Sequence, residues 1–186
     1  MEAERQAYPD TEIELWCEDE ARLGLIPIIR RIWAPRGSKP VAVGRRRYQW
    51  MYVYGFVRPT TGDVYWLLLP TVSAEAFQIA LDHFAQAFGV NEKKRVLMVV
   101  DNAGWHVANN LRIPDGMRFI NLPAYSPELQ PAERLWPLMN ESRANRPIET
   151  LSELEEILVQ RCNYLSGASE VIRNRTHFHW WPDDKQ

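Results

Sequence analysis

The sequence predicts an α/β domain, a mixed five-stranded sheet with helices on its faces, and three observations lead there. Three β-type runs come first: IELWC from Ile13, RYQWMYVYGFV from Arg47, and DVYWLLLP from Asp63 after the turn signal PTTGD. A segment at helical spacing, SAEAFQIALDHFAQAFG, then separates them from RVLMVVD, a continuous apolar run of the kind a strand shows when both its faces are covered. A shorter strand candidate, MRFINLP, follows, and helical patterns close the chain. Strands, crossover helix, strands and trailing helices together describe one mixed sheet.

Each element has a local reason. The second and third runs are adjacent across a turn and predict a hairpin. In the central helix Ala76, Phe77, Ala80, Leu81, Phe84 and Phe88 share a face, Ser73 is placed to cap the start and Gly89 to stop the end. The Pro-rich stretch PAYSPELQP leads into a helix expected from about Ala132 to Ala144. A last helix is expected in ETLSELEEILVQRCNYL, with Leu151, Leu154, Ile157, Leu158 and Cys162 on one face, before an aromatic tail, THFHWWPDDKQ. Residues 1–12 are polar, contain Pro9, and read as a tail or linker remnant, so the folded domain is expected over 13–186.

Composition bounds the function. With 186 residues, 46% of them hydrophobic and a net charge of −2, the chain suits one domain with an ample core, and nucleic-acid binding through net charge is disfavoured. Cys17 and Cys162 stand far apart without CxxC spacing, against a disulfide framework or a zinc site. No signal-like segment opens the chain and no run reaches the ~18 apolar residues a spanning helix needs. A cytoplasmic protein is expected, with no membrane partner.

Chemistry concentrates in acids near strand ends. Asp101 closes the fourth strand, at the carboxyl edge where α/β sheets place their sites; a turn cap is the plainer alternative. In CEDEARLGL three acids interrupt the end of the first strand, and alternation separates them. Asp19 is in phase with the apolar Ile13, Leu15 and Cys17, whereas Glu18 follows Glu14 on the more polar side, with solvation as its plainer reading; Glu18 and Glu20 are expected as neighbours that shape the local field. Were the first and fourth strands parallel neighbours, Asp19 and Asp101 would share one cation. Glu133, just after Pro131 at a helix start, is preferred as a third acid over Glu128 in the loop. His106 and Asn102 are each read either as aids to substrate or as ordinary structural side chains. At the C-terminus, His177 and His179 beside Trp180 and Trp181 read as a docked aromatic tail rather than a metal site.

The ordered motifs DEARLGL, VLMVVDNAGWH and LPAYSPELQPAERLW resemble the catalytic core of DDE transposases, in the bacterial insertion-sequence branch related to mariner elements. The resemblance spans roughly Ile13 to Trp181; Gln130 and Ala132 stand where that family often has Asn and Ile. It implies a ribonuclease H-like fold and a catalytic, metal-binding triad of Asp19, Asp101 and Glu133, the last two separated by 133 − 101 = 32 positions. It also implies Mg²⁺ or Mn²⁺, two ions with DNA bound, and DNA cleavage and strand transfer at transposon ends. The alternatives are a non-catalytic DNA-binding or regulatory remnant and a stand-alone metal-dependent nuclease of the same fold. Arg30, Arg31, Arg36, Lys39, Arg45, Arg46 and Arg47 form a dense basic stretch expected to contact DNA, with Trp33 or Trp50 available to stack on an unpaired base. In mariner relatives an insertion at this place helps clamp a dimer, so a homodimer is a further expectation. Because full-length relatives carry helix-turn-helix modules ahead of this core, end recognition is expected from a separate N-terminal segment.

Overall fold

The computed structural model describes residues 1–41, 47–124 and 126–182. Five strands form one sheet: β1 (Glu12–Gly24), β2 (Trp50–Arg58), β3 (Asp63–Leu69), β4 (Lys94–Val100) and β5 (Met117–Asn121), in spatial order β3-β2-β1-β4-β5. The hairpin of β2 and β3 is antiparallel, β1 pairs antiparallel with β2, and β4 lies parallel to both β1 and β5. The expected side-by-side placement of the first and fourth strands is therefore present, and it decides where the acids lie. Cys17 pairs with Val99, so two residues further the same register brings position 101 level with Asp19.

Both faces of the sheet are covered. On one, helix α2 (Ala74–Phe88), capped by Ser73 accepting from the Ala76 amide and stopped by Gly89 at φ 62°, packs Phe77, Leu81 and Phe84 onto Trp16, Tyr54, Phe56 and Met98. Trp16 meets Phe84 and Phe88 edge-on at 4.9 and 4.5 Å. On the other face lie α3 (Leu135–Asn140), α4 (Leu151–Ser166) and α5 (Ser169–Thr176), packed on Leu15, Cys17, Val53, Val57 and Val99. Thr150 caps α4 by accepting from the Glu153 amide, and Leu154, Ile157, Leu158 and Cys162 are buried as the periodicity predicts. Trp181 docks into this core while Trp180 remains half-exposed, so the aromatic tail packs as expected.

Three expectations need correction. Solvation, the plainer reading of Glu18, does not hold: Glu18 is buried at 0% exposure, and Glu14 on the same side of β1 at 3%, because α2 covers that face. Glu14 is neutralised there by Arg58 at 2.6 Å and Lys94 at 3.2 Å, and accepts from Trp16 Nε1 at 2.8 Å. The opening residues are not a tail in this structure. Glu2–Ala7 form helix α1, tied down by buried Glu4, which bonds Arg95 at 3.0 Å and Arg118 at 2.8 Å. These partners lie 91 and 114 positions away, so no local pattern announced them. Finally, α5 has no counterpart among the expected helices: only Ile172 and Thr176 in it are buried, too few to print a periodicity.

Candidate active site

The three predicted acids line one open cavity of about 420 Å³ at the carboxyl end of β4, together with Asn102, Ser126 and Gln130. Each is held by a different device. Asp19 sits within β1 opposite Gly55 of β2, and its Oδ2 accepts a 2.7 Å hydrogen bond from Trp136 Nε1. Asp101 follows β4; its Oδ1 accepts from the Ala103 amide at 2.8 Å and faces His106 Nδ1 at 2.7 Å, which leaves Oδ2 for the cavity. Glu133 lies in a 3₁₀ turn, Pro131–Arg134, that runs straight into α3.

The placement of Glu133 follows from its neighbours three positions to either side. Gln130 is buried and donates through Nε2 to the Glu18 carbonyl at 2.9 Å, and Trp136 donates to Asp19. Both bonds end on consecutive residues of β1, so the segment carrying Glu133 is pinned at two points beside the first acid. Pro131 between them pre-sets the backbone for the turn.

Gly55 completes the arrangement. A Cβ there would lie 2.8 Å from Trp136 Cη2 and 3.2 Å from both Leu135 Cδ1 and Trp66 Cζ3. Gly55→Ala is expected to push the Trp136 indole off Asp19 and to cost about 1–3 kcal/mol, the usual range for overpacking. Urea denaturation checks the loss, and Mn²⁺ titration checks the weakened cation affinity that should accompany it.

The electrostatics fit a cation. Burial, with the Glu133 and Glu20 charges adding to it, pushes the Asp19 carboxyl up to about 7 against the lowering effect of Trp136. Burial and the Asp101 charge likewise raise Glu133. The His106 hydrogen bond instead holds Asp101 below the usual carboxylate range. Among the described residues, the ion pairs of Glu4, Glu14 and Glu141 lie elsewhere, while within the triad Asp101 is paired with His106. Three hard oxygen donors facing one open cavity, two of them resisting ionisation, form the donor set that Mg²⁺ or Mn²⁺ takes.

His106 is the residue whose role the sequence left open. It is buried at 3% exposure against Phe77, with Nδ1 on Asp101 and Nε2 3.2 Å from Glu20 and 3.4 Å from Glu18. Trp105 Nε1 also donates to Glu20 at 2.8 Å. A ring that donates to Asp101 through one nitrogen and to Glu20 through the other carries a proton on both. Burial alone would lower its pKa, but the bonds to Asp101 and Glu20 and the nearby Glu18 carboxylate outweigh that and push it up to about 12. Ligand-type atoms of Glu18, Glu20 and His106 lie within 4.8 Å of one another, so this is a second cluster in which a cation can sit. The imidazolium already fills that place, and its charge orients Asp101 towards the cavity. Asn102 has a structural bond, Nδ2 donating to the Leu122 carbonyl at 2.6 Å.

In its described part the basic stretch forms an irregular arm. Ile28 bridges to Ala144, and the Arg30 amide donates to Asn145 Oδ1 at 2.9 Å. Beyond that Arg30, Arg31, Arg36 and Lys39 are exposed, as are Ile29, Ile32 and fully exposed Trp33. Arg47 returns to the body and donates to the Glu149 carbonyl. Arg45 and Arg46 lie outside the described residues.

Comparison with known proteins places this geometry. The model of the DDE superfamily endonuclease family matches residues 14–155. An uncharacterized protein of Sinorhizobium fredii, y4pE/y4sA, is 32% identical over 114 residues, 61% of this chain and 81% of that one. The Mos1 mariner paired-end complex with Mn superposes with a TM-score of 0.60 at 18% identity, over 95% of this chain and 58% of that chain. The Mos1 strand transfer complex gives 0.56 at 18% identity, over 97% and 58%. A simian T-cell lymphotropic virus intasome gives 0.51 at 12% identity, over 80% and 48%. This chain thus spans 58% of each of these two Mos1 chains. The sheet and its helices have the ribonuclease H-like fold, and the chain belongs to the DDE superfamily endonucleases.

Proposed function

We propose that this chain is the catalytic domain of a transposase that cuts DNA at transposon ends and joins it to target DNA, with Asp19, Asp101 and Glu133 as catalytic metal ligands. The observation that carries the reading is the convergence of these acids, from three separate elements, on one open cavity with cation-seeking electrostatics. Asp19, Asp101 and Glu133 would hold two divalent ions, which would supply activation of a water or 3′-hydroxyl and stabilisation of the leaving oxygen of the phosphodiester. The protein's own part is to fix the carboxylates: Trp136 holds Asp19, His106 holds Asp101, and Gln130 anchors the turn of Glu133. The exposed cations and aromatics of the arm suit contact with DNA and with a second copy of the chain. End recognition by a helix-turn-helix segment belongs to the same proposal, since the matched transposase chains are longer.

Incubation with element-end DNA and Mn²⁺ tests it. Joined products are expected, and Asp101→Asn should lower their rate by about 10³-fold, the equivalent of several kcal/mol of transition-state stabilisation. Cleavage without joining would mark a stand-alone nuclease, and binding alone a non-catalytic remnant.

A further inference from the structure

A second cavity, of about 400 Å³, opens where β1 leaves the sheet, and its walls carry Arg22, Arg47 and Arg143 with Trp50, Tyr48 and Gly24. Among the described residues, no acid lines it. Arg143 is the informative member. It is 6% exposed, yet among the described residues its guanidinium meets neutral acceptors, Asn140 Oδ1 at 2.9 Å and the Gly24 carbonyl, and its Nε is buried without a partner. Burial pushes its pKa down, as expected of a cation far from a neutralising charge. An unpaired buried charge is costly, and a guanidinium fork matches phosphate oxygens in shape as well as charge. Arg22 stacks on the Trp50 ring at 5.0 Å, which braces a second cation at the mouth.

We propose that this cavity binds a backbone phosphate of a DNA strand, at a subsite separate from the carboxylate cavity. The assignment to DNA rests on the function proposed above; the anion site rests on Arg143 and the cations beside it. Arg22 and Gly24 follow Asp19 on β1 by three and five residues, on the order of 10 and 16 Å at ~3.3 Å per residue. A stacked strand rises ~3.4 Å per nucleotide and Arg22 alternates to the face opposite Asp19, so the phosphate held here lies at least about three to five nucleotides from the one at the acids. Trp50, 41% exposed beside the cavity, offers its ring to the neighbouring base.

The test needs neither metal nor cleavage, so it stands apart from the outcome of the strand-transfer assay. Inorganic phosphate is titrated into ¹⁵N-labelled metal-free protein, followed by a single-stranded decanucleotide. Saturable shifts of the Gly24 amide and the Trp50 indole are expected, with affinity at least about tenfold weaker in Arg22→Gln/Arg47→Gln, which spares the buried Arg143 and hence the fold. The decanucleotide should displace phosphate, and in the double variant its log K against log salt should flatten by about 0.7 for each phosphate no longer neutralised. No saturable shift at these two groups, or the same affinity in the variant, overturns the anion site. Phosphate binding that the oligonucleotide does not displace overturns its assignment to DNA.

Discussion

Asp19→Asn is expected to remove metal-dependent cleavage while making the metal-free protein more stable. Asn keeps an oxygen that can accept from Trp136 Nε1, so packing around it is preserved. It cannot supply the charge that holds a divalent ion, and losing several kcal/mol of transition-state stabilisation corresponds to about 10³-fold in rate. The stability gain follows from linkage. The Asp19 carboxyl is raised to about 7 in the folded chain against an ordinary value near 3.8. Between those values the unfolded chain has released the proton and the native one retains it, so native stability falls as pH rises through that window. Above pH 7 the charged carboxylate carries the full penalty, of the order of 1–4 kcal/mol, and Asn removes it. Thermal melts should show the variant above wild type at pH 8 without metal and the two converging near pH 4. Added Mg²⁺ should raise wild type and leave the variant unmoved.

His106→Ala has the largest expected effect on folding. The substitution deletes the imidazolium shared by Asp101, Glu18 and Glu20, and Glu18 is wholly buried. Breaking a buried ion pair from one side costs about 3–5 kcal/mol, because the remaining charge is left without a partner. Burial already raises Glu18 well above the usual carboxylate range, so it will take up a proton when the imidazolium is gone. Adding Glu18→Gln should therefore recover stability: His106→Ala/Glu18→Gln is expected to be more stable than the sum of the single changes by about 1 kcal/mol or more, as contacting residues couple. Strict additivity in urea denaturation would show that His106 and Glu18 do not share a charge. In the rescued double variant Mn²⁺ affinity should stay low, since nothing orients Asp101.

The acids were legible in the sequence because each stands at a feature with a one-dimensional signature. Asp101 ends a continuous apolar run, Glu133 follows a proline, and Asp19 keeps step with an apolar alternation. The same alternation left the burial of Glu14 and Glu18 unread, since it separates two faces without saying whether both are covered. Their burial depends on α2 and on Arg58, Lys94 and His106, which come from distant positions. The support of the site was hidden for the same reason. Trp136 on Asp19 spans 117 positions and Gln130 on the Glu18 carbonyl spans 112, so packing could be foreseen for Trp136 but not the bond it makes. Gly55 reads as an ordinary break in a strand until the indole above it is seen.

The cation is predicted to lie between Asp19, Asp101 and Glu133, on the opposite side of β1 from the cluster of Glu18, Glu20 and His106. Crystals soaked in Mn²⁺ decide this by anomalous scattering, which locates the ion irrespective of any activity. A peak in the open cavity, within about 2.0–2.3 Å of carboxylate oxygens from that triad, is the predicted result. A peak bound to His106 Nε2 with Glu18 and Glu20, and none in the cavity, would contradict the account.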